Sequence, residues 1–245
     1  MTIAEPVSSL THLGGAVVSV LASVFLLHRG RGEARRMVAL VVFVGSCVLL
    51  FTLSGLYHLA QPGTAARTIL QRLDHAAIFI LIAGTFTPPH AILFRGRLRV
   101  ISLVVIWCGA LLGVLVKVLW FEEIPHWLGL LMYLGMGWTA VVSSLVLWWK
   151  HGWSAMLPFV RPVYLGAMAY SVGGVLEALR WPHLASWLGP HEFFHVLVLM
   201  GAACYWRFIH MIAGGVVLPD AETRRLEHLR RLRRQAGQAV ARVQR

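Results

Sequence analysis

Charge is scarce in this chain. Only 13% of its 245 residues are Asp, Glu, Lys or Arg, about half the share of an average soluble domain. Acidic residues are the fewest, 10 Asp+Glu against 22 Lys+Arg, for a net charge of +12. With 58% hydrophobic residues and a mean hydropathy of +0.71, the chain carries more apolar surface than one soluble core can hide, which excludes a disordered chain and a nucleic-acid-binding globule. Cysteine is also sparse. Cys47, Cys108 and Cys204 are odd in number, far apart and each inside an apolar run. That excludes a disulfide framework, and no C-x-x-C pair offers a zinc or redox motif. Burial as small packing residues is the expectation for all three. Residues Met1 to Gly14 show neither a basic n-region nor a small-residue cleavage site, so no removable signal peptide is expected.

Long apolar runs are abundant. A membrane-spanning helix needs about 20 apolar residues, and seven segments qualify: about Leu10–Leu27, Val38–Ala60, Ala76–Phe94, Val100–Trp120, Trp127–Trp149, Leu157–Leu179 and Phe193–Val217. Gly, Pro and charged residues punctuate the intervals, as in Gln61-Pro62-Gly63 and Arg95-Gly96-Arg97. The predicted class is all-α, a polytopic membrane protein built as a seven-transmembrane-helix bundle over residues 1–219. Residues 220–245 form a basic amphipathic tail, with Leu226, Leu229, Leu232, Ala236, Val240 and Val243 at three- and four-residue steps among arginines. Such a tail suits anionic lipids of a cytoplasmic leaflet rather than nucleic acid, because it adjoins a spanning helix and carries no recognition motif.

The basic residues are unevenly distributed. Seven spans put the two termini on opposite sides, and only Arg67, Arg72, Lys117 and Arg180 fall on the N-terminal side, against 18 of the 22 on the other. The positive-inside rule therefore predicts an N-terminus outside and a C-terminus in the cytoplasm.

Against this background the ionisable residues within spans stand out. Ser54 and His58 lie four apart at the end of span two, Asp74 opens span three, and His191 and His195 open span seven, all at the basic-poor face. His191 and His195, at i and i+4, project from one helix face and can reach one ion. His58 offers a third imidazole. Three protein ligands with an open position for water is the arrangement of catalytic zinc. Asp74 is then a candidate base toward that water, and Ser54 a group to orient a ligand or polarise a carbonyl. The string His191-Glu192-Phe193-Phe194-His195 also matches H-E-x-x-H, which leaves Glu192 open as a rival base. The remaining histidines have blander readings. His28, His90 and His151 are expected to be solvated at the basic face, and His75 to point away from Asp74. His126 and His183 are expected in loops. Glu177 is expected to pair with Arg180 at i, i+3.

At these residues the chain resembles the hemolysin III family, the bacterial branch of the progestin and adipoQ receptor superfamily. The resemblance spans nearly the whole chain. It rests on Glu5 with Ser9-Leu10-Thr11-His12-Leu13-Gly14, on Ser54-Gly55-Leu56-Tyr57-His58, on Leu73-Asp74-His75-Ala76-Ala77-Ile78-Phe79 with Ala83-Gly84-Thr85-Phe86-Thr87-Pro88, and on His191-Glu192-Phe193-Phe194-His195. Phe194 stands where Trp is common. The resemblance implies a seven-helix bundle with an intramembrane Zn2+ on His58, His191 and His195. Asp74 would contact its water, and Ser54 would match the family's serine. It further implies a hydrolase of a lipid amide or ester, ceramidase-like in the eukaryotic relatives. The alternatives are a receptor-like or membrane-homeostasis protein that binds lipid around a structural zinc, and a cytolytic protein as the family's name suggests. The adiponectin receptors place their N-terminus in the cytoplasm, opposite to the side the charge asymmetry gives here.

Overall fold

The structure, a computed structural model, describes residues 4–183, 185 and 188–216, with residues 153–155 described by backbone alone. The tail expected over residues 220–245 lies outside the described residues. Seven helices follow one another: α1 (Pro6–Gly30), α2 (Ala34–Leu59), α3 (Ala65–Leu93), α4 (Gly96–Leu119), α5 (His126–His151), α6 (Trp153–Leu179) and α7 (Pro190–Ile212). Each contains a stretch long and apolar enough to cross a membrane, where a helix satisfies its own backbone polar groups. The protein is an all-α, seven-span membrane protein. Val17, Leu21, Val24 and Phe25 of α1 and Val104, Val105, Leu111 and Leu112 of α4 stand exposed on the outer surface, the faces a bilayer would cover.

Helix α3 is the central element. It touches α2, α4, α5 and α7, and 67% of its most apolar stretch is buried, against 11% for α5. Small residues let the backbones approach. A Cβ added at Gly84 of α3 would lie 2.1 Å from Ser46 Oγ of α2, and one at Gly55 would meet Leu13 of α1 at 2.6 Å. Phe43, Leu50 and Phe51 of α2 and Val198, Tyr205, Phe208 and Ile209 of α7 belong to the main apolar core.

Helix starts account for where the polar residues stand. In α1, Pro6 takes the first turn, where its missing N–H costs nothing. Before α3 the chain turns at Gly63, with φ at +79°, and Thr64 Oγ1 caps the helix by accepting the Arg67 N–H at 3.3 Å. Helix α3 thus begins eleven residues before the apolar run expected from Ala76, and Asp74 lies in its third turn rather than at its start. Helix α7 ends at Ile212, short of the expected Val217.

Three further expectations are corrected. His90 is buried rather than solvated: its Nδ1 bonds the Phe86 carbonyl at 2.7 Å and its Nε2 the Ser143 hydroxyl at 2.9 Å, in an aromatic stack with Phe86 and Phe94. His126 is the first residue of α5 rather than a loop residue. Cysteine burial holds for Cys47 alone, since Cys108 is exposed and Cys204 half-buried.

Candidate metal centre

His58 occupies the last turn of α2, and His191 and His195 the first two turns of α7, so the ends of two helices meet at one level. One ligand nitrogen from each of the three imidazoles lies within 4.8 Å of the others. His58 Nε2 and His191 Nε2 are 3.3 Å apart. His58 and His195 are almost fully enclosed, and His191 is partly open.

The outer nitrogens of two of these rings meet carboxylates. His58 Nδ1 bonds the Glu5 carboxylate, whose other oxygen accepts from Arg67 at 2.5 Å. The Glu5 backbone N–H in turn donates to the His58 carbonyl at 3.1 Å, and Arg67 reaches the Ala60 carbonyl at 2.8 Å. The residue before α1 therefore clamps the end of α2 from both its main chain and its side chain. The His58 hydrogen bond, with Arg67 beside it, holds the Glu5 carboxyl down at about 2 against the opposing effect of its partial burial. On the other helix, His191 Nδ1 lies 3.2 Å from Glu177 Oε1 of α6. The expected Glu177 partner was Arg180; the partner found is His191, because α6 packs along α7 and brings the carboxylate over that ring. The carboxylates behind His58 and His191 leave the opposite nitrogen of each ring with its lone pair toward the shared point, the arrangement that orients histidine for a metal and raises its basicity. These donors fit a divalent zinc-like ion.

The other expected site residues gather around the same space. Ser54, Asp74, His191 and His195 all line one cavity of about 170 Å³, whose remaining wall is mostly apolar, with Ile78, Ile82, Leu130 and Phe194 among its lining. The Ser54 hydroxyl interacts with the Asp74 carboxyl, and both side chains are buried. His75 was expected to point away from Asp74; its Nδ1 bonds the Gln71 carbonyl at 2.9 Å and lies 4.0 Å from the Asp74 carboxylate. Glu192, the rival base, is engaged at both oxygens. One carboxylate oxygen accepts the Gly189 N–H at 2.9 Å and the other the Ser8 hydroxyl at 3.2 Å, so it caps α7 and ties it to α1.

Several participants had no assigned role in the sequence. Glu5 has one signal, a lone carboxylate directly before the Pro that opens the first span. Arg67 has another, a rare cation on the basic-poor face. His12 has a third, an imidazole inside the first apolar run: its ring stacks on His195 at 3.8 Å and 16°, and both its nitrogens are buried without a hydrogen-bond partner among the described residues.

Residues 2–206 match the family described as Haemolysin-III related. The chain belongs to the haemolysin III family. Among its relatives, Hemolysin-3 of Bacillus cereus is 32% identical over 204 residues, covering 81% of this chain and 87% of that one. The Hemolysin-3 homolog of Bacillus subtilis (strain 168) is 31% identical over 201 residues, covering 81% and 89%. This haemolysin III member is also similar to the adiponectin receptor protein of Drosophila melanogaster, 25% identical over 221 residues, which cover 83% of this chain and 49% of the receptor.

Proposed function

We propose that this haemolysin III family member is a zinc-dependent hydrolase of a membrane-embedded acyl amide or ester. The observation that carries the reading is a largely apolar cavity lined by a buried carboxylate, Asp74, together with His191 and His195, on which His58 converges from α2. His58, His191 and His195 would hold the ion, with Glu5 and Glu177 fixing two of the rings. Zinc in such a site acts as a Lewis acid and brings the pKa of a bound water to about 7. Asp74 accepts the proton of the attacking water and passes it to the departing amine or alcohol as the acyl C–N or C–O bond breaks. Ser54, beside that carboxyl, orients it. The apolar wall excludes bulk water and takes the acyl chain. Glu192 is not the base in this reading, since one of its oxygens caps α7 and the other accepts from Ser8 of α1.

The 18-to-4 division of basic residues supports a topology with the N-terminus and the metal centre at the outer face of a bacterial inner membrane. A structural zinc in a lipid-binding regulator is the second reading. It is favoured by the Glu5–His58–Arg67 clamp, through which a metal would fasten α1, α2 and α7 together. Asp74→Asn separates the two. Purified variant that keeps its zinc and loses hydrolysis by about 10²–10⁴-fold supports the enzyme. Wild-type protein with full zinc that cleaves no acyl amide or ester across a broad lipid panel refutes it.

A further inference from the structure

Lys117 lies two residues before the end of α4, about 3 Å of helix rise from that terminus. A lysine so placed ordinarily extends its stem outward and sets its ammonium in the interfacial water. This one turns inward. It is 3% exposed and lines the cavity that holds Asp74, His191 and His195. Among the described residues its ammonium makes no ion pair and no hydrogen bond; the contact it has is the face of Phe121, 5.3 Å from the ring centre.

The ammonium belongs to the last turn of α4, whose negative dipole end suits it, but it also faces the start of a second helix. It lies so close to Gly129 that a Cβ there would come within 2.6 Å of Nζ, and Gly129 belongs to the first turn of α5. That terminus carries the positive end of the helix dipole, which attracts anions and repels a cation. With no carboxylate paired to it among the described residues, a buried ammonium held between the Phe121 ring and that positive helix end is further stabilised by an anion that enters from the cavity. His75 and His126 line the same part of the wall and add hydrogen-bonding capacity but no fixed negative charge. The two acids in the lining are engaged elsewhere, Asp74 with Ser54 and Glu177 with His191.

We infer that Lys117, with the first turn of α5, is an anion-recognition point inside the cavity, and that the lipid the protein takes carries a phosphate on the non-acyl side of its amide or ester. This deepens the hydrolase reading and rests on it for the placement of the acyl carbonyl at the histidine cluster. The acyl chain follows the apolar wall while the headgroup phosphate meets the ammonium at the level of the α4 and α5 ends. A free phosphate shares the chemistry of that headgroup, so the source must be tested along with the site.

The test uses the full chain in a neutral detergent and two N-acyl amide lipids of identical chains, one with a phosphate monoester headgroup and one with a free hydroxyl. Wild type should bind the phosphate lipid at least about tenfold more tightly. Lys117→Met should abolish that ratio, and Lys117→Arg should retain most of it, with zinc content verifying that each variant is folded. Equal binding of the two lipids by wild type, or an unchanged ratio in Lys117→Met, overturns the assignment. So does loss of the ratio on adding millimolar inorganic phosphate, which would make free phosphate the occupant. Hydrolysis measured alongside keeps the two readings apart. A Lys117-dependent ratio without cleavage of either lipid removes the enzyme and leaves the anion point; equal cleavage and equal binding of both does the reverse.

Discussion

Glu5→Gln keeps the size of the side chain and removes the charge that sits behind His58. In the native protein one carboxylate oxygen meets His58 Nδ1 and the other meets Arg67 at 2.5 Å. Arg67 retains its 2.8 Å bond to the Ala60 carbonyl, so the guanidinium stays in place and the loss falls on the orientation and basicity of the imidazole. Removing a partner of this kind weakens metal binding by about 10- to 100-fold, which is about 1.4–2.8 kcal/mol. Two observations place Glu5 at the upper end of that range. The His58 side chain is 1% exposed, so the imidazole itself is closed to water even though the Glu5 side chain is 35% exposed. His191, by contrast, is 38% exposed and its Glu177 contact is 3.2 Å, so water can substitute there. The expectation is a loss near 100-fold for Glu5→Gln and near tenfold for Glu177→Gln, both rough values. Zinc affinity is measured by chelator competition on wild type and both variants in neutral detergent, with circular dichroism to verify folding. An unchanged affinity in Glu5→Gln, or a larger loss in Glu177→Gln, would refute the reasoning.

Acidification should release the metal through the imidazoles and not through the clamp. Metal ligation needs neutral histidine, which ordinarily titrates near about 6.5, so bound zinc should fall as pH drops below about 6. Glu5 is depressed, so its stabilising contribution is complete above the ordinary carboxylate value of 4.5 and is lost only as pH falls through about 2; a release midpoint at that low pH would contradict this division. Gly84→Ala forces a Cβ against Ser46 and should destabilise the α2–α3 contact by about 1–3 kcal/mol, read as thermal unfolding in detergent. Ser46→Gly should relieve most of that loss in the double variant, and additive effects would disprove the clash. A cysteine placed at the Gln61–Thr64 turn should react with an impermeant thiol reagent in intact cells, while one at Gly32 should not; the reverse pattern would invert the topology.

The seven spans were legible because lipid imposes one demand on every crossing segment, a run of apolar residues of fixed length. Their ends were not. The first turns of α3 hold Arg67, Gln71 and Arg72, which hydropathy discards, although Gly63 and Thr64 mark the start by turn and cap chemistry. The three histidines could be gathered by counting spans and noting the i, i+4 pair. Their carboxylates could not. Glu5 and Arg67 are 62 residues apart, and nothing local in either predicts the meeting. Glu177 has a plausible partner three residues away, and the structure prefers one fourteen residues distant. His90 was misplaced for a related reason: a residue near a span end reads as wet until a neighbouring helix, here α5 through Ser143, closes over it.

The Glu5–His58–Arg67 clamp also has a place in time. All three residues belong to the segment that leads through α1 and α2 into α3, and they need nothing from the rest of the chain to meet. His191 follows His58 by 133 residues. In a chain made from its N-terminus, one imidazole would thus be aimed before α4 to α6 follow, and α7 would bring the other two together. A nascent chain halted before α7 would hold a primed half-centre with a single ligand, too weak to retain an ion. In the zinc reading, metal capture would follow the docking of the final helix, and metal retention would mark a finished fold.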